Sequence, residues 1–188
     1  DPHSSKSETQ FYVAYGHFAG SGSDTHNGNR KGPSEAVYKQ YISTLSDYNK
    51  TEYGFLISSG SEVTTLQSGQ DGEVIVHKND HDDFIYVLNF KQSKFKDRLQ
   101  AGTWTLNLSG SIGNKGVTIK LTDDSKQRRL PPVTTEAGRQ FNIFSGSEGS
   151  LAEGRSIGDR YGFFYPDVGI MVLGEKISRK IRSGSSGA

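Results

Sequence analysis

The sequence predicts an α+β fold, mainly β, with seven or eight short, mostly antiparallel strands and one amphipathic helix at about residues 34–48. Three observations carry that prediction. Short runs rich in Val, Ile, Phe and Tyr recur along the chain and are separated by Gly, Asn, Asp and Ser clusters, which is how strands and turns alternate in sequence. Only one segment repeats its apolar residues at helical spacing. Hydrophobic residues are 32% of the chain and mean hydropathy is −0.63; a chain so polar has enough apolar surface for a modest core lined by half-buried strands.

Taken in order, residues 1–10 are polar and read as a flexible N-terminal segment. Phe11 to Phe18 form a β-capable run that gives way to a Gly/Ser/Asn loop from Gly20 to Pro33. The helix follows, with Pro33 at its start, Ser34 as candidate N-cap and Glu35 in the first turn. Its apolar stripe is Val37, Tyr38, Tyr41, Ile42, Leu45 and Tyr48. Strands are then expected at YGFLIS (53–58), at EVIVH (73–77) and at FIYVLNF (84–90), whose two apolar faces mark a central strand. KQSKFKDRL reads as a short helical turn or a strand extension. GTWTLNLSG points Trp104, Leu106 and Leu108 inward, and VTIKL returns with Val117, Ile119 and Leu121; Gly113, Asn114 and Gly116 supply the turn of that hairpin. A further strand runs from Gln140 to Ser145, and the chain closes with an aromatic run, a Pro-Asp turn and an apolar strand from Gly169 to Leu173. Residues 11–178 read as one β-rich domain and 179–188 as a Gly/Ser-rich linker or tail, both ends looking cut or processed.

Composition removes several functions. There is no cysteine, so disulfides, thiolate nucleophiles and cysteine-ligated zinc are out. With 22 basic and 21 acidic residues the net charge is +1, which favours neither nucleic acid nor an anionic membrane. No apolar run approaches the ~18 residues of a membrane span.

The stretch HKNDHDDF, residues 77–84, is the densest in chemistry-bearing side chains. His77 and His81 lie four apart, as two metal ligands on one helix face would, with Asp80 or Asp82 as a third donor. The Asn-Asp and Asp-Asp pairs break helices, and strands flank the stretch, so a solvated hairpin loop is the simpler reading. His17 lies in an aromatic strand and reads as packed or half-exposed; His26 lies in the Gly/Ser loop, which lacks the Lys-Ser/Thr ending of a phosphate cradle. Asp123-Asp124 reads as a turn before a paired-carboxylate site, and the basic run from Lys126 to Leu130 lacks the interleaved rings of single-strand binding. No nucleophile elbow is present, and the sequons at Asn49 and Asn107 are triplets that occur by chance.

The run Tyr161, Phe163, Phe164, Tyr165 places rings on both faces of a strand, so an intramolecular core and a subunit contact are both open. Three segments, SEAVYKQYISTLSDYN, DDFIYVLNFKQSKFKDRLQAGTWTLNLSG and RYGFFYPDVGIMVLGEKIS, resemble parts of the virion structural proteins of contractile-tailed, T4-like bacteriophages, of the tail baseplate in particular. They cover about a third of the chain. The resemblance implies a structural, non-catalytic role in a virion, no cofactor, and other tail proteins or copies of the same chain as partners. On that expectation the contact residues are Tyr161, Phe163, Phe164 and Tyr165, with Tyr38 and Tyr41 of the helix as seconds. Two alternatives belong to other classes: a carbohydrate- or receptor-binding module stacking sugars on Tyr165, and a metal-dependent hydrolase built on His77, His81 and an aspartate.

Overall fold

The computed structural model describes residues 8–20, 32–46, 54–57, 81–112, 115–127, 131–153 and 159–178. In chain order these form β1 (Phe11–His17), α1 (Pro33–Leu45), β2 (Phe84–Phe90), a 3-10 turn (Gln92–Lys94), β3 (Leu106–Ile112), β4 (Lys115–Asp123), β5 (Val133–Thr135), β6 (Gly138–Ser147), β7 (Ser150–Leu151), β8 (Gly162–Tyr165) and β9 (Ile170–Gly174). All pairings are antiparallel, in the order β1-β2-β9-β8-β6-β4-β3, with β5 and β7 attached to β6. The fold class is therefore the mainly β, α+β arrangement that the strand and turn pattern predicts.

Period-2 alternation sorts the central strands between two cores. Ile85 and Val87 of β2, Phe163 and Tyr165 of β8, and Ile170 and Val172 of β9 join Tyr38, Ile42 and Leu45 of α1 in the first. Leu88, Phe164, Met171 and Leu173 point to the other face and share the second with Ile119 and Leu121 of β4, Phe141 and Ile143 of β6, and Tyr161. Residues of β2 and of β4, far apart in the strand order, meet there because the sheet curls upon itself. Each fully buried Leu, Ile, Val or Phe adds about 1.5–3 kcal/mol.

The helix differs from expectation at both ends. Its N-cap is Gly32, not Ser34, which lies inside the first turn and is buried. Pro33 occupies a position where a missing N–H is harmless. At the other end Ser46 turns extended while its N–H still reaches the Ile42 carbonyl, and the Ser43 and Thr44 hydroxyls bond back to the Gln40 carbonyl. Such back-bonding competes with helix continuation. Gly16 of β1 lets α1 come close: a Cβ there would lie 2.9 Å from the Tyr38 nitrogen. In the turn between β8 and β9, Gly169 adopts φ +68, which suits glycine.

Three strand expectations need comment. Residues 54–57 of YGFLIS are not a strand, although Phe55 and Ile57 are buried. EVIVH lies outside the described residues. The strand expected at Gln140 to Ser145 is longer, Gly138–Ser147. The hairpin registers as anticipated, with Leu106 opposite Leu121 and Leu108 opposite Ile119.

Candidate functional site

Of the opening stretch, His77 and Asp80 lie outside the described residues. His81 is mostly buried, its ring centroid 3.9 Å from that of Phe18 and its Nε2 3.7 Å from an Asp83 carboxylate oxygen. Its Nδ1 is buried with no hydrogen-bond partner among the described residues. Asp83 points to solvent, whereas Asp82 is 1% exposed. The Asp82 carboxylate accepts from the Ile57 N–H at 2.8 Å and from the Glu175 N–H at 3.1 Å, its carbonyl accepts from the Tyr38 hydroxyl at 2.8 Å, and its own N–H donates to the Phe55 carbonyl. A carboxylate held by backbone donors in this way ties loops together. Among the described residues, no group of three or more His, Cys, Asp or Glu could hold a metal ion.

Asp123 and Asp124 are also buried. Asp123 accepts from the Gly102 and Ser125 N–H groups; Asp124 accepts from the backbone and side-chain amides of Asn142. Neighbouring positions point apart, so the two serve different clamps; the turn expected of this pair begins only at Asp124, since Asp123 ends β4 and pairs with Ile143. Arg160, which no motif or spacing singles out, is 7% exposed. It donates to the carbonyls of Leu56 and Ile57 and to the Asn142 side chain, and its guanidinium lies 4.9 Å from the Phe163 ring centre. Tyr38, Asp82 and Arg160 thus satisfy the backbone of 54–57 in place of a neighbouring strand.

The expected contact residues take a different place. Tyr161, Phe163, Phe164, Tyr165 and Tyr38 are all under 9% exposed. Because β8 is covered on both faces, its rings fill both cores and present no surface to a partner. The interface role expected of them is corrected to core packing, and Tyr165 offers no ring to a sugar. Burial raises the Tyr161 phenol above its ordinary pKa, with Asp159 nearby adding to the shift, and Lys176 caps the ring at 5.4 Å. Tyr41 alone of the group is partly exposed, at the margin of the first core.

The exposed apolar surface is on β1. Phe11 is 39% exposed, Tyr12 58% and Val13 60%. β1 ends the strand order, and its register gives the phase of its backbone. The Lys91 N–H donates to the Gln10 carbonyl and the Phe18 N–H to the Asp83 carbonyl, so the even-numbered residues between them face β2. The N–H and C=O groups of Phe11, Val13 and Tyr15 therefore point out of the sheet, and they meet no partner among the described residues. The side chains of Phe11, Tyr15 and His17 form a ladder with β2: Phe11–Phe90 at 5.5 Å, Tyr15–Tyr86 at 5.6 Å and His17–Phe84 at 6.4 Å between ring centres. Burial in that ladder, and then the nearby Tyr86, raise the Tyr15 phenol above its ordinary pKa. His17 is fixed by the Ala19 N–H donating to its Nδ1, which leaves the ring proton on Nε2. A signal for this edge exists in the sequence: FYVAYGH carries no Lys, Arg, Asp, Glu or Pro, the residues that blunt edge strands.

Compared with known proteins, the chain matches no family model, no curated protein and no solved structure.

Proposed function

We propose that this chain is a structural component that works through protein–protein contact, and in its narrowest form a domain of a contractile phage tail, of the baseplate. The observation that supports the contact role is the β1 edge, unpaired among the described residues, with Phe11, Tyr12 and Val13 exposed in succession. Large apolar side chains clustered on an unprotected edge are what neighbouring chains cover. The buried carboxylates fit the same reading, since Asp82, Asp123 and Asp124 each hold backbone or side-chain amides. The virion assignment comes from the three segments that resemble tail proteins. Immunogold labelling of particles purified from cells that make the chain tests it: label at the tail tip is expected, and intact tails without the chain refute the virion role.

A second reading, a sugar-stacking surface, is favoured by the partly exposed rings of Tyr15, Phe84 and Tyr86. Glycan-array binding that disappears with Tyr15→Ala is its test, and no binding by the intact chain removes it.

A further inference from the structure

We infer that β1 is a self-pairing edge, through which two copies of this chain join antiparallel about a two-fold axis at Val13. The inference rests on the contact role proposed above and names its partner. Free backbone groups set the register. Phe11, Val13 and Tyr15 point their N–H and C=O groups outward, and in an antiparallel ladder two such residues exchange both hydrogen bonds. His17 marks the end of the free edge, because its carbonyl accepts from the Gly20 N–H within the chain. The free run is therefore symmetric about Val13. Centring the axis there sets Val13 opposite Val13 and Phe11 opposite Tyr15 of the other copy, and it uses every free group of the three residues.

The side chains agree with that register. Phe11 beside Tyr15 repeats the aromatic cross-strand pairs that β1 already makes with β2. On the other face Tyr12, the more exposed ring, falls opposite Ala14, a small residue at the margin of the first core. No charge interrupts residues 11–17, so a copy brings none to bury unpaired. Charge outside the strand is complementary end to end. At the start of β1 Glu8 pairs with Lys94 and Lys91 adds a further positive charge, the exposed Asp83 stands beside its end, and an antiparallel copy brings Lys91 toward Asp83. α1 approaches β1 closely at Gly16, toward the end of the strand, so the two helices stand toward opposite ends of the new pairing. The sheet would run continuously through both copies, and the joint has the isologous form usual for a homodimer.

Sedimentation velocity on the 188-residue chain, from roughly 1 µM to 1 mM, tests the inference. A concentration-dependent dimer is expected. Val13→Lys and Val13→Glu each set like charges against each other across the axis, so each weakens the dimer by roughly tenfold or more. Mixing the two variants restores it as a heterodimer, which follows only if residue 13 faces residue 13. Val133→Lys, an exposed apolar position on β5, serves as the control and leaves the dimer unchanged. Circular dichroism and the single tryptophan, Trp104, verify that each variant is folded. A monomer at every concentration overturns the inference; so does a dimer indifferent to Val13→Lys, and so does a pair of weakened variants that mixing does not rescue. None of these outcomes bears on the tail labelling, which judges the virion role separately.

Discussion

Tyr38 is the side chain whose removal of one atom says most about how this fold holds its irregular segment. Its hydroxyl donates to the Asp82 carbonyl and accepts from the Phe55 N–H, both at 2.8 Å, inside the first core. Tyr38→Phe keeps the ring and its edge contacts with Phe18 and Phe55. It leaves a buried N–H and a buried C=O without that partner. Each orphaned group costs about 1–3 kcal/mol, partly offset because the more apolar ring is easier to bury. The expected loss is ~2–3 kcal/mol, or roughly 5–10 °C in Tm for a domain of this size. Urea titration followed by Trp104 fluorescence measures it, with the slope unchanged and the midpoint lowered. Tyr41→Phe, three residues on and partly exposed, is the matched control and should stay within ~0.5 kcal/mol. Burial raises the Tyr38 phenol far above its ordinary pKa, with the nearby Asp82 and Asp83 adding to the shift. Its contribution is therefore full below about pH 10 and is lost as the pH rises beyond it, so the gap between wild type and Tyr38→Phe should narrow in alkali. A loss under ~0.5 kcal/mol at neutral pH would refute the claim that this hydroxyl secures 54–57.

Three further outcomes follow from the packing. Phe164→Ala removes a ring with no exposure that meets Trp104 at 5.3 Å, and it should cost about 3–5 kcal/mol and shift Trp104 emission; a stable, unshifted variant would mean that the second core is not built around this ring. Gly16→Ala forces a Cβ against the backbone of α1 and should destabilise by about 1–3 kcal/mol, read from the same urea midpoint. The Arg139 guanidinium hydrogen-bonds the Asp167 carboxyl and holds its pKa below the ordinary value. A depressed folded pKa gives stability that is present above about pH 4 and lost as the pH falls through the folded value. Wild type should therefore exceed Asp167→Asn at pH 7, and the gap should close in acid; a gap independent of pH would rule out the ion pair as its source.

Much of the sheet was legible because its strands obey simple patterns. FIYVLNF is apolar at every position but one and lies between two strands; TWTLNL and VTIKL alternate and pair as a hairpin. YGFLIS was misread for a physical reason. It has the composition of a strand and its Phe55 and Ile57 are buried, but apart from the Asp82 N–H the hydrogen-bond partners of 54–57 are side chains 17 to 104 positions away in sequence. No local pattern announces partners at that distance. The aromatic run was legible as two-faced, and what the sequence could not tell was that both faces of β8 are covered from within the chain. β1 presents the reverse case. Its strand character was plain, but its place at the end of the strand order, which makes it an edge, depends on the whole topology.

The distribution of polar groups connects these findings. In a chain with so small an apolar fraction, buried carboxylates add to the apolar anchors of its loops. Asp82 ties 54–57 and Glu175 to the start of β2, Asp123 ties Gly102 to the turn after β4, and Asp124 ties that turn to β6. Each carboxylate meets amide donors with good geometry, the condition under which burying a charge is tolerable. Removing either partner leaves a charge or an amide stranded, which is costly. They also account for the acidic pairs that most suggested catalysis in the sequence. Of those pairs, Asp82, Asp123 and Asp124 lie inside and serve the fold, while among the described residues exposed large apolar side chains gather on the β1 edge. Such a surface is suited to joining protein to protein, and β1 is where that joining should be sought.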